Sequence, residues 1–530
     1  MKKKYGLVAA GLALTLMFTG CGGAKSDAEM SYLSNAYITT EDSKMAMDVA
    51  YVDGGFDPFE IPGFEDGYNT DEYQTIKENS FLKVSQNPLS TFAADVDTGT
   101  YCNLRRLINE KASLDNISNA IRTEEMINYF DYEVSENSGI FGLSYNIGAC
   151  PWNEDNKLLV LTLQANAEEN IPEKGNNFVF LVDTSGSMMG EDRLELAVKA
   201  FKILAETVTK NDRFSVVTYS GSWDVLIDGS NDYKKIIKAL DKLEAGGCTN
   251  GSGGITAAYE CARKNFIEGG NNRVILASDG DMNLGITSTA GLTELVEKEK
   301  ESGVFLTTLG FGYGNFSDAN MESIADSGNG NYYYIDCLDE AKRVLWEKLS
   351  QTTVTVAKDV KFQIEFNPAV VSSYRQIGYE NRQMAASDFD DDKKDGGEMG
   401  AGQQITIAYE LVMADGSEDN TGNLKYQDSS LSEKAASGEI CTVSARYKAP
   451  DKDVSEKTDF VVTDTGVKNE ENFNFVAGII EVSMLLRDSE YKGNSTYDKA
   501  YKLVKSGMGS NSYRKEFAEL IKKIEKEEDV

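Results

Sequence analysis

The sequence predicts an α/β fold in which a doubly wound, mostly parallel sheet is inserted in a β-rich flanking domain and followed by a C-terminal helical segment. Three observations predict this fold. Short apolar runs alternate with amphipathic helical patterns over residues 177–350, as expected for a parallel sheet covered by helices on both faces. Strand-like runs lie on both sides of that region. Helical patterns dominate after residue 463.

The central region alternates strands with helices. Its first strand, 178–182, is an uninterrupted apolar run (FVFLV), which is typical of a strand buried on both faces. Further strands are predicted at 214–219, 273–277, 304–311 and 332–335, and helices at 194–208, 233–243, 255–266, 292–301 and 340–349. In such sheets ligands bind beyond the carboxyl ends of the strands, where the strand order reverses. The sequence therefore predicts a binding site that follows the strands.

The flanks of the central region are rich in predicted strands. These strands lie at 142–147 and 157–165 before it and at 354–366, 404–413 and 440–447 after it. Because strands lie on both sides, we expect one β-sandwich built from both flanks, with the α/β domain inserted in one of its loops. A strand and two helices are expected within 86–130, and three helices at 473–487, 496–505 and 512–527.

The composition excludes several classes of function. The 530 residues include no histidine, which excludes Ser/His/Asp and Cys/His catalytic arrangements and His-ligated zinc sites. The chain carries 53 Lys and Arg against 86 Asp and Glu, a formal net charge of −33. This charge argues against nucleic acid and anionic membrane surfaces as partners, because like charges repel. Divalent cations remain favourable ligands.

The first residues have the features of an export signal. Three lysines precede an apolar stretch at 7–18, which is too short to span a membrane, and Thr19, Gly20 and Cys21 follow. Small residues before a cysteine resemble the lipobox of bacterial lipoproteins, which implies cleavage before Cys21 and lipid on its thiol. We expect a protein held only by this lipid on the extracytoplasmic face of a bacterial cell membrane. The alternative is an ordinary secretory signal.

Three polar segments occur where the sheet rule places a site. DTSGS at 183–187 follows the first strand, GGCT at 246–249 lies between two helices, and SDGD at 278–281 follows the strand at 273–277. Neither GxGxxG nor GxxxxGK[ST] is present, so the sequence supports neither a Rossmann dinucleotide site nor a P-loop. Hydroxyl and carboxylate oxygens favour Mg²⁺, with Mn²⁺ or Ca²⁺ as alternatives. The candidate metal site comprises Asp183, Ser185, Ser187, Thr249 and Asp279, with Asp281 as an accessory acid.

These three motifs, in this order, resemble the metal-ion-dependent adhesion site of von Willebrand factor type A domains. The resemblance implies that the hydroxyls of Ser185, Ser187 and Thr249 bind the ion directly, while Asp183 and Asp279 act through water. An ion with few charged ligands then accepts an Asp or Glu side chain of another protein as its sixth ligand. The resemblance implies a magnesium-bridged protein partner.

The flanks resemble a family of bacterial lipoproteins that carry a von Willebrand factor type A domain. The segments that carry this resemblance are NPLSTFAADVDTGTY at 87–101, NYF at 128–130, FNPAVVSSYRQIGYENR at 366–382 and FAELIKK at 517–523. The resulting division is a lipoprotein signal peptide (1–20), an acidic flexible tether (21–80), an N-terminal flanking domain (81–176), the von Willebrand A domain (177–350), a β-rich domain (351–463) and a helical module (464–530).

The sequence thus predicts a cell-surface lipoprotein that binds a protein presenting Asp or Glu, and not an enzyme. Adhesion and envelope assembly both remain open as roles. One alternative is a metal-dependent phosphatase, because Asp95 and Asp97 resemble the opening motif of haloacid-dehalogenase-type enzymes, although Gly99 replaces the expected Thr or Val. The other is a structural envelope scaffold without a metal-bridged ligand.

Two further features have structural interpretations. The acidic run at 388–398 favours a surface loop, since Lys393 occupies the position where a calcium-binding EF-hand needs glycine. Six cysteines follow Cys21 without metal-ligand spacing, and we expect sparse buried thiols, with disulfides as the alternative in an oxidising compartment. These cysteines are Cys102, Cys150, Cys248, Cys261, Cys337 and Cys441.

Overall fold

The computed structural model describes residues 76–528, except for 95, 110, 112–116, 135–138, 167–173, 283, 314–316, 349–354, 395, 416–430, 450–451 and 453. The predicted signal segment, Cys21 and most of the predicted tether therefore lie outside the described residues. So does Asp95. Within the described ranges, no helix is long and apolar enough to span a membrane.

The described strands and helices are bounded as follows. The strands are β1 (Leu82–Lys83), β2 (Leu89–Ala93), β3 (Phe141–Cys150), β4 (Asn153–Ala165), β5 (Asn176–Asp183), β6 (Arg213–Tyr219), β7 (Trp223–Ser230), β8 (Asn271–Ser278), β9 (Phe305–Gly310), β10 (Tyr332–Tyr334), β11 (Thr355–Phe366), β12 (Val371–Ile377), β13 (Gly397–Gly400), β14 (Gln404–Met413), β15 (Glu439–Lys448) and β16 (Ser455–Thr463). The α-helices are α1 (Gly99–Asn109), α2 (Thr123–Asn128), α3 (Leu194–Ala205), α4 (Tyr233–Leu240), α5 (Gly251–Lys264), α6 (Thr289–Lys300), α7 (Asp318–Ser327), α8 (Leu338–Lys342), α9 (Glu470–Leu486), α10 (Tyr497–Gly507) and α11 (Ser512–Glu528).

The central sheet has the strand order β10-β9-β8-β5-β6-β7, and every neighbouring pair except β6 and β7 is parallel. From β5 the chain continues to β6 on one side and later returns to β8 on the other. Apolar side chains pack on both faces, with Phe180 stacked on Phe201 of α3 on one and Val179 and Leu181 buried on the other. The strand order therefore reverses between β5 and β8, which confirms the predicted α/β fold.

The edge strand β7 and the helix α7 were absent from the sequence prediction. In β7 the side chains of Trp223 and Val225 are exposed and Asp224 lies between them, so the strand lacks a buried face that would produce alternation. In α7 the buried positions include the carboxylates of Asp318 and Glu322, which contact an arginine. The sequence of this helix therefore lacks the apolar periodicity from which an amphipathic helix is predicted. The helix predicted at 340–349 also differs from the structure, since α8 ends at Lys342 and a π-helical segment, Arg343–Lys348, follows it.

The β-sandwich is assembled from both flanks, as predicted. One sheet has the order β1-β12-β14-β4-β3, in which β4 from before the α/β region pairs with β14 from after it. The other contains β13, β11, β15 and β16, with β2 paired to β11. Leu161, Phe362, Ile407 and Val443 are fully buried in the common core. The α/β region therefore leaves and re-enters a single sandwich.

A buried ionic cluster around Arg105 of α1 joins the flanks to the α/β region. The Arg105 guanidinium donates to both carboxylate oxygens of Asp336 at 2.7 and 2.6 Å and to Glu340 of α8 at 3.0 Å. A fourth hydrogen bond, also 3.0 Å, reaches Glu516 of α11, whose side chain is exposed at the edge of the cluster. The guanidinium of the N-terminal flank therefore binds carboxylates of both the α/β region and the C-terminal helix. We call these four residues the Arg105 cluster.

A second cluster, the Arg122 cluster, comprises Arg122, Glu125, Asp318 and Glu322. The Arg122 guanidinium lies 3.0 Å from Glu125 of the neighbouring turn and 2.8 Å from both Asp318 and Glu322 of α7. All four side chains are at most 5% exposed. Helix α7 is thus held against the N-terminal flank by charge as well as by packing.

The thiols agree with the preferred prediction of unpaired cysteines. All six cysteines from Cys102 onward are free, and only Cys248 is exposed. The acidic run at 388–398 is held by protein donors: Asp392 accepts from Ser455 at 2.6 Å and from Arg446 at 2.9 Å, and these hydrogen bonds lower its pKa to about 2.

We expect Glu481→Gln to stabilise the protein at alkaline pH. Glu481 of α9 is buried; one oxygen accepts from Ser495 at 3.2 Å, and the other has no hydrogen-bond partner among the described residues. Burial raises its pKa to about 7. Between about pH 4.3 and 7 the folded state keeps a proton that the unfolded state has lost, so the free energy of unfolding falls as pH rises.

The variant has no such proton to lose. Urea denaturation should show it more stable than the wild type by on the order of 2 kcal/mol at pH 8, with a much smaller difference at pH 4. A difference that is independent of pH would contradict the assignment. Glu519→Gln, an exposed carboxylate of α11, serves as the control.

Candidate functional site

The first candidate loop begins at Asp183, the last residue of β5. Its side chain is fully buried, with one oxygen accepting from the backbone N–H of Ser185 and the other from the hydroxyl of Ser278, both at 2.9 Å. Ser278 is the last residue of β8, the parallel neighbour of β5. Asp183 therefore lies at the point where the strand order reverses.

Two hydroxyls follow Asp183 in a short 3₁₀ turn. The Oγ atoms of Ser185 and Ser187 lie 2.9 Å apart. Ser185 is buried and Ser187 is half-buried, so the pair lies at the boundary between the sheet edge and the surface. This arrangement offers two neutral oxygens to the same small ion.

The three polar loops are joined by backbone hydrogen bonds. Gly246 donates to Thr184 at 2.8 Å and Gly186 to Gly247 at 2.9 Å, which ties the first loop to the second. Leu284 donates to the carbonyl of Thr249 at 2.9 Å, which ties the second loop to the third. Thr249 itself is 1% exposed. The structure thus brings together the loops that carry all five predicted residues.

The third loop turns sharply after Asp279, which is fully buried. Gly280 has φ = +79°, and a Cβ there would lie 2.7 Å from the carbonyl oxygen of Ser317, so glycine is required. The Gly280 N–H donates to the Ser278 hydroxyl at 2.9 Å, and the Asp281 N–H donates to an Asp279 oxygen at 3.2 Å. Asp281 is half-buried beside the site.

The electrostatics of the site favour a bound cation. Burial, together with the neighbouring Asp279 carboxylate, raises the pKa of Asp183 to about 7. Two buried carboxylates close enough to repel are stabilised when a positive charge lies nearby. With the paired hydroxyls of Ser185 and Ser187, the donor set is hard and oxygen-only, which fits Mg²⁺ or Mn²⁺.

Sequence reasoning missed two residues of this site. Ser278 orients Asp183, and a polar residue ending an otherwise apolar strand was the available signal. Arg193 precedes α3; its guanidinium donates to the carbonyl oxygens of Ser187 and Tyr313 and lies 3.9 Å from Asp279. A basic residue six positions after the serine pair has no local signature.

Two other acidic groups have contacts of a different kind. Cys102, Asp336 and Glu340 come close together, but the Arg105 guanidinium already bonds to all three. Asp97, from the phosphatase-like motif, is 3% exposed; it accepts from the backbone of Tyr332 at 2.8 Å and lies 3.5 Å from Arg382. Both groups hold the flanks to the α/β region.

The fold and these three loops define a von Willebrand factor type A domain protein. Residues 177–345 match the family model of the von Willebrand factor type A domain, and 67–160 match a model described as von Willebrand factor. Residues 351–526 match the model described as uncharacterized protein YfbK, C-terminal. Domains of this class mediate protein interactions and often bind a divalent metal.

The chain belongs to the YfbK family. It is 39% identical over 466 residues to the uncharacterized protein YfbK of Escherichia coli (strain K12), covering 85% of this chain and 80% of that protein. A UPF0353 protein of Mycolicibacterium paratuberculosis is 27% identical and covers 33% of this chain and 59% of its own length. A solved von Willebrand factor type A protein from Catenulispora acidiphila is 16% identical, with a TM-score of 0.39 over 69% of this chain and 87% of that one.

Proposed function

We propose that this chain is a cell-surface lipoprotein that binds a protein partner through a magnesium-bridged carboxylate. The observation that carries the proposal is the convergence of three polar loops on Asp183, where strand order reverses. Similar loops in von Willebrand factor type A domains often hold a divalent metal, and those domains mediate protein interactions.

The residues divide into two roles in this proposal. Ser185, Ser187 and Thr249 would hold Mg²⁺ through their hydroxyls, and Asp183 and Asp279 would orient its water ligands. Bound Mg²⁺ supplies a positive charge on a protein whose net charge is −33. An acidic partner is then attracted at one point of a surface that otherwise repels it. The partner supplies Asp or Glu.

Hydrolysis is disfavoured by the side chains present. Activation of a metal-bound water generally needs a base beside it, and the chain has no histidine. Asp183 is committed to Ser185 and Ser278. We therefore propose recognition without turnover.

Cys248 provides a direct test of the proposal. It is exposed and precedes Thr249, whereas the other five described cysteines are buried or half-buried. A photo-crosslinker attached to Cys248 of a soluble chain that begins after Cys21 should capture a partner from envelope extract of the source bacterium when Mg²⁺ is present. Chelator and Thr249→Ala should each abolish capture.

Thr256→Ala is the matched control. Thr256 lies on α5, the helix that follows Thr249, and its hydroxyl donates to the carbonyl of Ser252 at 3.0 Å, so it offers nothing to the three polar loops. This variant should capture the partner normally. Crosslinking that persists with chelator and with Thr249→Ala would show that the contact does not need the metal, and the proposal would fail.

Lipid anchoring predicts that Cys21→Ser releases the protein from membranes. Two or more acyl chains give stable anchoring, and no thiol would remain at position 21 to carry the first of them. Incorporation of a labelled fatty acid should be lost, and the protein should move to the soluble fraction. Cys248→Ser should keep both label and location. Retained label in the Cys21 variant would show that the lipid is attached elsewhere.

A further inference from the structure

A groove lies between α3 and the segment that follows α4. Its volume is about 470 Å³, within the range of about 300–1,000 Å³ that is typical of ligand pockets. The apolar lining includes Met189, Leu194, Val198, Leu240, Leu243 and Ala245. Met189 is 71% exposed at the mouth of the groove. Of this lining Met189 is exposed and Val198, Leu243 and Ala245 are half-buried, whereas Leu194 and Leu240 are buried.

Both walls of the groove continue directly from the polar loops that carry the candidate metal site. Met189 follows Ser187 by two residues, and its N–H donates to the carbonyl of Gly186 at 3.3 Å. On the other wall, Ala245 precedes Gly246, whose N–H donates to Thr184. A ligand held at Ser185 and Ser187 is therefore adjacent to the mouth of the groove.

The groove has a defined length along α3. It follows α3 from Leu194 to Lys202, eight residues or about 12 Å at the helical rise. At its far end Lys202 of α3 bonds to Asp241 after α4 at 2.6 Å. An extended peptide advances about 3.3 Å per residue, so roughly four residues span this distance. Charged side chains also line the groove beside the apolar ones, namely Glu195, Lys199 and Glu244.

We propose that the partner presents its carboxylate on an extended segment whose apolar side chains, within about four residues of the acid, fill this groove. The inference rests on the proposed function, because it uses the metal loops as the anchor for the carboxylate. The metal contributes attraction to any acid, whereas the groove selects acids that have apolar neighbours. Specificity among acidic partners then depends on Val198, Leu243 and Ala245 rather than on the ion.

A display library of heptapeptides with a fixed central Asp and random flanks tests this inference. Peptides are bound to the purified chain in Mg²⁺ and eluted with chelator. We expect enrichment of Leu, Ile, Met or Phe in the flanks. A synthetic copy of an enriched peptide should bind about 10- to 100-fold more tightly than its glycine-flanked version, the factor expected for burying one large apolar side chain.

Two variants alter the groove in opposite ways. Val198→Glu makes its wall polar, and Ala245→Phe fills it; both positions are half-buried, so at least one variant should fold. Each should reduce the difference in affinity between an enriched peptide and its glycine-flanked version to about threefold or less. The Mg²⁺ affinity of each variant should be unchanged. Val461→Glu, at an exposed apolar residue of β16 in the sandwich, should retain the preference.

The outcomes separate this inference from the proposed function. Peptides that elute with chelator but show no apolar enrichment would overturn the groove assignment and leave metal-bridged binding intact. An absence of chelator-eluted peptides would count against both. A dimer in light scattering that Val198→Glu dissociates would assign the groove to a second copy of the chain and overturn the peptide assignment.

Discussion

Replacing Arg105 with alanine is expected to lower the free energy of unfolding by about 3–5 kcal/mol, the usual cost of removing one partner from a buried ion pair. The variant leaves the carboxylates of Asp336 and Glu340 buried without their shared cation. Burial alone would raise the pKa of Glu340, yet Arg343 and Arg105 hold it below its usual value, so this carboxylate is charged in the folded protein. Part of that charge would become uncompensated.

Urea denaturation at pH 7 measures this loss. Lys502→Ala is the control, because Lys502 pairs with Asp498 at 2.6 Å but the two side chains are 70% and 58% exposed. Exposed pairs contribute about 0–1 kcal/mol. Arg105→Lys should fall between the two, since a lysine keeps the charge but not the two parallel hydrogen bonds to Asp336. Equal stability of Arg105→Ala and Lys502→Ala would contradict the role assigned to the cluster.

The same clusters explain how the α/β region is held by its flanks. In the Arg105 cluster the arginine pairs with Glu340 of α8, at one end of that region, and in the Arg122 cluster it pairs with Asp318 and Glu322 of α7. Both arginines belong to the N-terminal flank, while Glu516 belongs to the last helix of the chain. The domain that carries the three polar loops is therefore fixed to its surroundings by buried charge at two helices.

Much of the α/β region could be predicted from the sequence because its strands are buried on both faces. The run at 178–182 is apolar at every position, and the structure places it in β5, the central strand. The position of the polar loops was predictable for a related reason: polar residues directly after such a strand, as at Asp183 and Asp279, must lie at the sheet edge. At these residues the local sequence pattern is enough to indicate their position in the fold.

Other elements depend on contacts that no local pattern contains. Strand β16 alternates poorly because most of its side chains are exposed or half-buried, and it forms only by pairing with β15. Arg105 and Asp336 are 231 residues apart in sequence, and Arg105 resembles an ordinary surface arginine. Arg193 approaches Asp279 only after three loops have assembled. Long-range pairing of charges therefore escaped the prediction.

Replacing Thr249 with alanine is expected to reduce Mg²⁺ affinity by at least tenfold, and isothermal titration calorimetry of the soluble chain would measure it. The proposal assigns the Thr249 hydroxyl to the ion directly, and loss even of groups that only orient a metal's ligands typically costs about 10–100-fold. The fold should survive, because a smaller side chain enters a loop held by backbone bonds, such as Leu284 N–H to the Thr249 carbonyl. An unchanged melting temperature of the metal-free variant would confirm that the fold survives.

The comparison with Thr256→Ala separates chemistry from helix stability. Thr249 lies two residues before α5 and Thr256 is the sixth residue of that helix. Both changes remove one hydroxyl and one methyl group, but only Thr249 belongs to the polar loops. Mg²⁺ should stabilise the wild type and Thr256→Ala, since a ligand that binds only the folded state raises stability with concentration. It should not stabilise Thr249→Ala. If Mg²⁺ stabilises all three proteins equally, the ion binds elsewhere, and the carboxylate-bridging role of these loops loses its physical basis.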